Sequence, residues 1–128
     1  MSFKKNIIST DKAPSAVGTY SQGVEFNGVF YFSGQIGIDP ADGILKEGFV
    51  PQLDQIMKNI DGLLESQDLT RENIIKTTIF VTDLANFGEV NAAYEKYFTA
   101  PYPARSCVQA AALPKDAVVE IEVIAAKN

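Results

Sequence analysis

Arg105 and Cys107 stand in the run APYPARSCVQAAALPKD (residues 100–116), which is otherwise small, largely apolar and strand-like. A guanidinium is always charged and offers a planar fork of donors matched to a carboxylate. An arginine in such a run has two readings: it holds the carboxylate of a small ligand, or it pairs with a glutamate of its own chain. Glu120 and Glu122 of VVEIEVIAA are the candidate partners for the second. A hairpin centred on LPKD sets Arg105 opposite Ile124, several positions from Glu120, which makes a direct pair diagonal and stretched. Cys107 invites a nucleophile reading, but the 128 residues include no histidine to activate it. A free strand cysteine without a base reads as a small packed residue. Ser33 of FSGQIG lacks a base for the same reason.

The missing histidine excludes more than a nucleophile. It removes the commonest metal ligand and the commonest general base near neutral pH, and with them a Ser-His-Asp or zinc hydrolase. No metal cluster, no dinucleotide fingerprint and hence no cofactor is expected. The glycines of SGQIG do not follow a phosphate-loop spacing and read as sites of close packing. A net charge of −5, with Lys4–Lys5 the only adjacent basic pair, argues against a nucleic-acid partner. No apolar run approaches membrane-spanning length, and MSFKKNIIST lacks the apolar core of a signal peptide. The single cysteine fits a reducing, cytoplasmic setting. No linker or repeat divides the sequence, so residues 1–128 are expected to form one domain.

These side chains must be positioned by a small set of elements. A short strand, Asn6–Ser9, precedes the loop TDKAPSAVG, and two strands then flank Asn27-Gly28, a hairpin signal because both residues tolerate positive φ. Alternation puts Val29, Tyr31, Ser33 and Gln35 on one face. DPADGILKEG reads as a surface loop. Val50, Leu53, Ile56, Met57, Ile60, Leu63 and Leu64 recur at helical spacing and form a core stripe. NIIKTTIFVTDL is the next strand. Asp83 can cap a second helix from about Leu84 to Phe98 with the stripe Phe87, Val90, Tyr94, Phe98, ended by Pro101 and Pro103. Strands Ala104–Ala111 and Val118–Ala126 close the chain. The first puts Arg105, Cys107 and Gln109 on one face. The second puts Glu120 and Glu122 opposite Val119, Ile121 and Val123. The order β-β-β-α-β-α-β-β is an α+β pattern whose two helices cover one sheet face, leaving the glutamate face to solvent or to a subunit interface. If the faces meet, Arg105, Cys107, Ser33 and Glu120 converge.

The sequence resembles the RidA/YjgF family of reactive-intermediate imine deaminases. The likeness runs through AVGTYSQGV, FSGQIGIDP, KTTIFVTDLANFGEVNAAYEKYF and YPARSCVQAAALPKDAVVEIEVIA, essentially the whole chain. It implies a chorismate-mutase-like fold, a six-stranded mixed sheet with two helices on one face, and a barrel-like homotrimer with sites in clefts between subunits. The implied activity is hydrolysis of 2-imino acids and their enamine tautomers (2-iminobutanoate, 2-iminopropanoate) to 2-keto acids and ammonia. By motif, Arg105 binds the substrate carboxylate and Glu120 positions or activates the attacking water. Ser33 and the Cys107 backbone orient imine and water, and Tyr20 and Asn91 line the cleft. One position departs from the pattern: Thr19 stands where the family often has proline. Two other readings stay open, an RNA-directed endoribonuclease or translation inhibitor and a noncatalytic trimer that binds small carboxylates. The acidic balance counts against the first. Glu120 counts against the second, since an anion binder gains nothing from a carboxylate beside its ligand.

Overall fold

The computed structural model describes residues 4–128. Strand β1 (Asn6–Ile8) pairs antiparallel with β2 (Gly23–Phe26), and β2 with β3 (Val29–Phe32). Asn27 (φ 52°) and Gly28 (φ 81°) make the tight turn between them, with Phe26 opposite Val29, as the Asn-Gly pair predicts. The turn-rich segment that follows is more ordered than a loop. It folds into a miniature hairpin of β4 (Ile38–Asp39) and β5 (Ile44–Leu45), bent by Gly43 at φ 73°.

Helix α1 (Phe49–Ser66) buries the expected stripe from Leu53 to Leu64, whereas Val50, in its first turn, is 47% exposed. It also buries three amides that the stripe did not mark. Gln52 Oε1 accepts the Val118 N–H (2.9 Å), and Asn59 Nδ2, steadied by Gln55, donates to the Ile38 carbonyl (2.9 Å). These bonds fasten the segment after β3 and the approach to the last strand onto one helix. Gly37 lets the same contact close, since a Cβ there would lie 2.6 Å from the Cα of Gln52.

Strand β6 (Ile74–Val81) leads through Asp83, whose carboxylate accepts the Ala85 N–H (2.9 Å), into a 3-10 turn over Leu84–Asn86 and then α2 (Phe87–Tyr97). Helix α2 buries Val90, Tyr94 and Tyr97, with Phe98 just beyond, while Phe87 is 38% exposed. Strands β7 (Ala104–Gln109) and β8 (Val119–Ala126) follow, and the sheet order is β1-β2-β3-β8-β6-β7.

That order overturns the LPKD hairpin. β7 and β8 are not neighbours: β6 lies between them, parallel to β7 and antiparallel to β8. Arg105 stands opposite Thr77, and Ile124 opposite Lys76. A strand, a helix and a parallel strand in succession form a βαβ crossover, which here prevails over hairpin closure. Residues directly opposite share a face, so the registers sort the side chains. Thr77, Ile79 and Val81 stand beside Val123, Ile121 and Val119 on the helix side, all 2% exposed or less. Thr78 and Phe80 stand beside Glu122 and Glu120 on the other side. Neither helix covers that second side, where Tyr31 (51%) and Val108 (45%) are exposed.

A bulge corrects a second expectation. Tyr31 pairs with Ile124 but Gln35 with Ile121, so an advance of four residues on one strand (35 − 31) meets three on the other (124 − 121). The extra residue reverses the alternation. Gln35 turns to the helix side, 6% exposed, and no longer shares a face with Tyr31.

Candidate active site

The edge strand β7 and helix α2 build the first group of polar side chains. Arg105 lies opposite Thr77 and so on the helix side of the sheet. Its Nη1 donates to Asn91 Oδ1 (2.7 Å), and its guanidinium carbon lies 5.1 Å from the Phe87 ring centroid and 5.4 Å from that of Tyr94. Phe87, Asn91 and Tyr94 are spaced i, i+4, i+7 along one helix face, so one turn of α2 after another supports the same cation. Tyr94 is fixed in turn by donating its hydroxyl to Thr77 (2.9 Å). Arg105 forms no salt bridge among the described residues, so most of its donor fork is free for an outside anion. The expected alternative, an ion pair with Glu120 or Glu122, is absent, because those carboxylates point to the opposite side of the sheet across β6.

Cys107, two residues along, is half-buried against the core. Burial pushes its thiol up, and the smaller pull of Arg105 does not reverse this. It is a poor source of thiolate.

The second group lines a cleft of ≈ 600 Å³ on the far side of the molecule's central strands, where Tyr20, Ser33, Gly34, Lys115 and Glu120 meet. Glu120 is half-buried. Burial chiefly, and the neighbouring charge of Glu122 secondarily, raise its carboxyl above the ordinary range. Ser33 donates its hydroxyl to the Ser21 carbonyl (2.6 Å) and its N–H to the Gln22 carbonyl (2.9 Å). While it keeps the first bond, this hydroxyl meets a ligand only as an acceptor. Gln22 is 4% exposed and binds Thr10 and Pro14 through its amide, thereby holding the loop that carries Tyr20. Tyr20 is 55% exposed, its hydroxyl near the Val17 N–H at 3.4 Å.

Two lining residues escaped the sequence reading. Lys115 sits at φ 56° followed by Asp116 at φ 59°, consecutive left-handed residues that PKD alone does not announce. Gly34 lies in a motif read for packing, and what it packs against is a carboxylate.

The expected convergence therefore fails within one chain. Arg105, Asn91 and Cys107 form one group at the β7 edge; Tyr20, Ser33 and Glu120 form another on the opposite side of the sheet. A larger hollow of ≈ 940 Å³ lies beside Asp61, Arg71 and Tyr97. Arg71 is engaged there, bidentate to Asp61 (3.0 and 2.8 Å), bonded to the Tyr97 carbonyl (3.1 Å) and stacked on its ring. Among the described residues no three His, Cys, Asp or Glu side chains gather as a metal site, and no helix is long and apolar enough to cross a membrane.

The sequence profile of the family described as Endoribonuclease L-PSP matches residues 10–127. A RutC family protein of Aquifex aeolicus is 52% identical over 94% of this chain and 98% of its own. A 2-iminobutanoate/2-iminopropanoate deaminase of Salmonella typhimurium is 46% identical over 94% of this chain and 97% of its own. The crystal structure of RidA from an Antarctic Psychrobacter superposes with a TM-score of 0.93 at 44% identity, covering 95% of this chain and 99% of that one.

Proposed function

The chain belongs to the Endoribonuclease L-PSP family, which includes the RidA deaminases, and from that premise we propose that it hydrolyses 2-iminobutanoate, 2-iminopropanoate and their enamine tautomers to 2-keto acids and ammonia. One observation carries the reading: an arginine with no carboxylate partner among the described residues and a carboxyl raised by burial, each held in its own half-site. The first suits a substrate carboxylate; the second suits proton transfer.

Arg105, braced by Asn91, grips the carboxylate of the imino acid and fixes its C2. A water oxygen attacks C2 of the iminium while Glu120 takes a water proton, giving a tetrahedral carbinolamine. Glu120 returns that proton to the amino nitrogen. The C–N bond breaks with its electron pair on nitrogen and ammonia leaves, while the ionised Glu120 takes the hydroxyl proton as the C2 carbonyl forms and later passes it to solvent. The iminium carbon is already electrophilic, so orientation and proton management replace a strong nucleophile or a metal. Ser33 accepts from the iminium N–H, and Tyr20 and the Cys107 backbone close the pocket.

The two half-sites complete one another across a subunit boundary, in a homotrimer of single RidA-like domains whose uncovered sheet face is the contact. The proposed setting is the cytoplasm, with small molecules and no nucleic acid as partners. An RNA-cleaving reading is not favoured by a chain of net charge −5 without histidine.

The test uses threonine dehydratase and threonine to make the imine in situ, with 2-ketobutyrate followed as product. Glu120→Gln is expected to lose about 10²-fold or more in kcat while binding 2-ketobutyrate as well as the parent. Arg105→Lys keeps the charge but loses the planar fork, and its 2-ketobutyrate affinity is expected to fall. Full activity in Glu120→Gln would refute the water-activating role.

A further inference from the structure

We propose that Gly34 is a positioning residue for Glu120: its bare Cα is the seat on which the glutamate carboxylate rests, and a side chain there drives the carboxylate out of its reactive position. The inference rests on the deaminase reading of Glu120. A Cβ built on Gly34 would collide with Oε2 of Glu120 and come within 2.9 Å of its Cδ and 3.2 Å of its Cγ. Its three nearest atoms all belong to this one side chain.

Other glycines of the chain serve different ends. Gly28 and Gly43 supply positive φ, while Gly37 and Gly62 admit backbone, Gln52 in one case and Lys12 in the other. Gly34 has no positive φ, so alanine suits its backbone. The next residue is clamped to β8 by two backbone bonds, Gln35 N–H to the Ile121 carbonyl (2.8 Å) and Ile121 N–H to the Gln35 carbonyl (3.0 Å). Those bonds fix the strand at Gly34 against the strand that carries Glu120. The flexible carboxylate must therefore yield, not the backbone. The bulge between Tyr31 and Gln35 is what brings Gly34 to the Glu120 side.

The experiment is a cycle of Gly34→Ala on the parent and on Glu120→Asp, whose carboxylate stops one methylene short of the added methyl. On the parent, kcat in the coupled imine assay should fall about tenfold or more, with 2-ketobutyrate affinity and assembly state retained, the split expected of a reacting group displaced without loss of binding. On Glu120→Asp the same substitution should cost clearly less, the non-additivity of residues in contact. Parental kcat in Gly34→Ala, or an equal loss on both backgrounds, overturns the proposal. If Gly34→Ala does not assemble, Gly34→Ala with Glu120→Ala decides: assembly recovered once the carboxylate is gone supports the contact, and continued failure overturns it. Glu120→Gln in the same assay separates the two levels. Loss there with none in Gly34→Ala removes only the seat, whereas full activity in Glu120→Gln removes the reading beneath it.

Discussion

Glu120 works against its own neighbour. Burial in the cleft raises its carboxyl, and Glu122, one turn of the pleat away, raises it further. The charged and titratable groups around it are Glu122 on β8, with Tyr20 and Lys115 across the cleft. As the proposed base, Glu120 must be ionised to accept a proton, so the rate should fall as pH drops through a value above that of an ordinary glutamate. Glu122→Gln removes the like charge and should move this acidic limb of kcat downward, leaving 2-ketobutyrate binding near that of the parent. A limb that stays in place, measured by pH-rate profiles of both proteins, contradicts the coupling. Stability has the opposite sense. A carboxyl raised on folding stabilises the fold while protonated, and that contribution is lost as pH climbs from the ordinary glutamate range through the raised one. Arg105 and Glu120 stood out as candidates in the sequence because a charge in an apolar or alternating strand is conspicuous. Gly34 was not, because a missing side chain matters only through what occupies its place.

At the scale of elements, contacts made by glycine separate cleanly into those that admit backbone and those that do not. Gly37→Ala pushes a methyl into the Gln52 backbone, with Gln52 Cα at 2.6 Å and its carbonyl oxygen at 2.7 Å. It should destabilise by about 1–3 kcal/mol, since neither the helix nor the bend bonded to it can give way cheaply. Gly88, in the first turn of α2, has nothing within 4 Å of a built Cβ. Gly88→Ala should therefore stabilise by up to about 1 kcal/mol through helix propensity and unfolded-state entropy. Denaturant midpoints of the two variants check both signs. The Asn-Gly hairpin, the Asp83 cap and the α1 stripe could be read because turn chemistry and periodicity are local. The place of β7 could not be read from alternation. Alternation gives the faces of a strand and not its neighbours, and the signal that mattered was the β6-α2-β7 succession.

The whole molecule has a sheet with helices on one side and, on the other, Tyr31 and Val108 exposed beside Glu120 and Glu122. Arg105 faces the helices and Glu120 faces away, so a deaminase site that uses both would need two chains. The uncovered face was legible from two helices set against six strands, but the placing of Arg105 and Glu120 on opposite sides was not, because it depends on which strand separates β7 from β8. Mixing the chains tests this most directly. Arg105→Ala and Glu120→Gln proteins, each expected to have lost most activity, are dissociated together in equal amounts and reassembled. If each site takes Arg105 from one chain and Glu120 from its neighbour, half of the arginine donors and half of the glutamate donors are intact, and about a quarter of the parental activity should return. If both residues act within one chain, every site carries one defect. Mixed trimers that assemble and stay inactive would contradict the account.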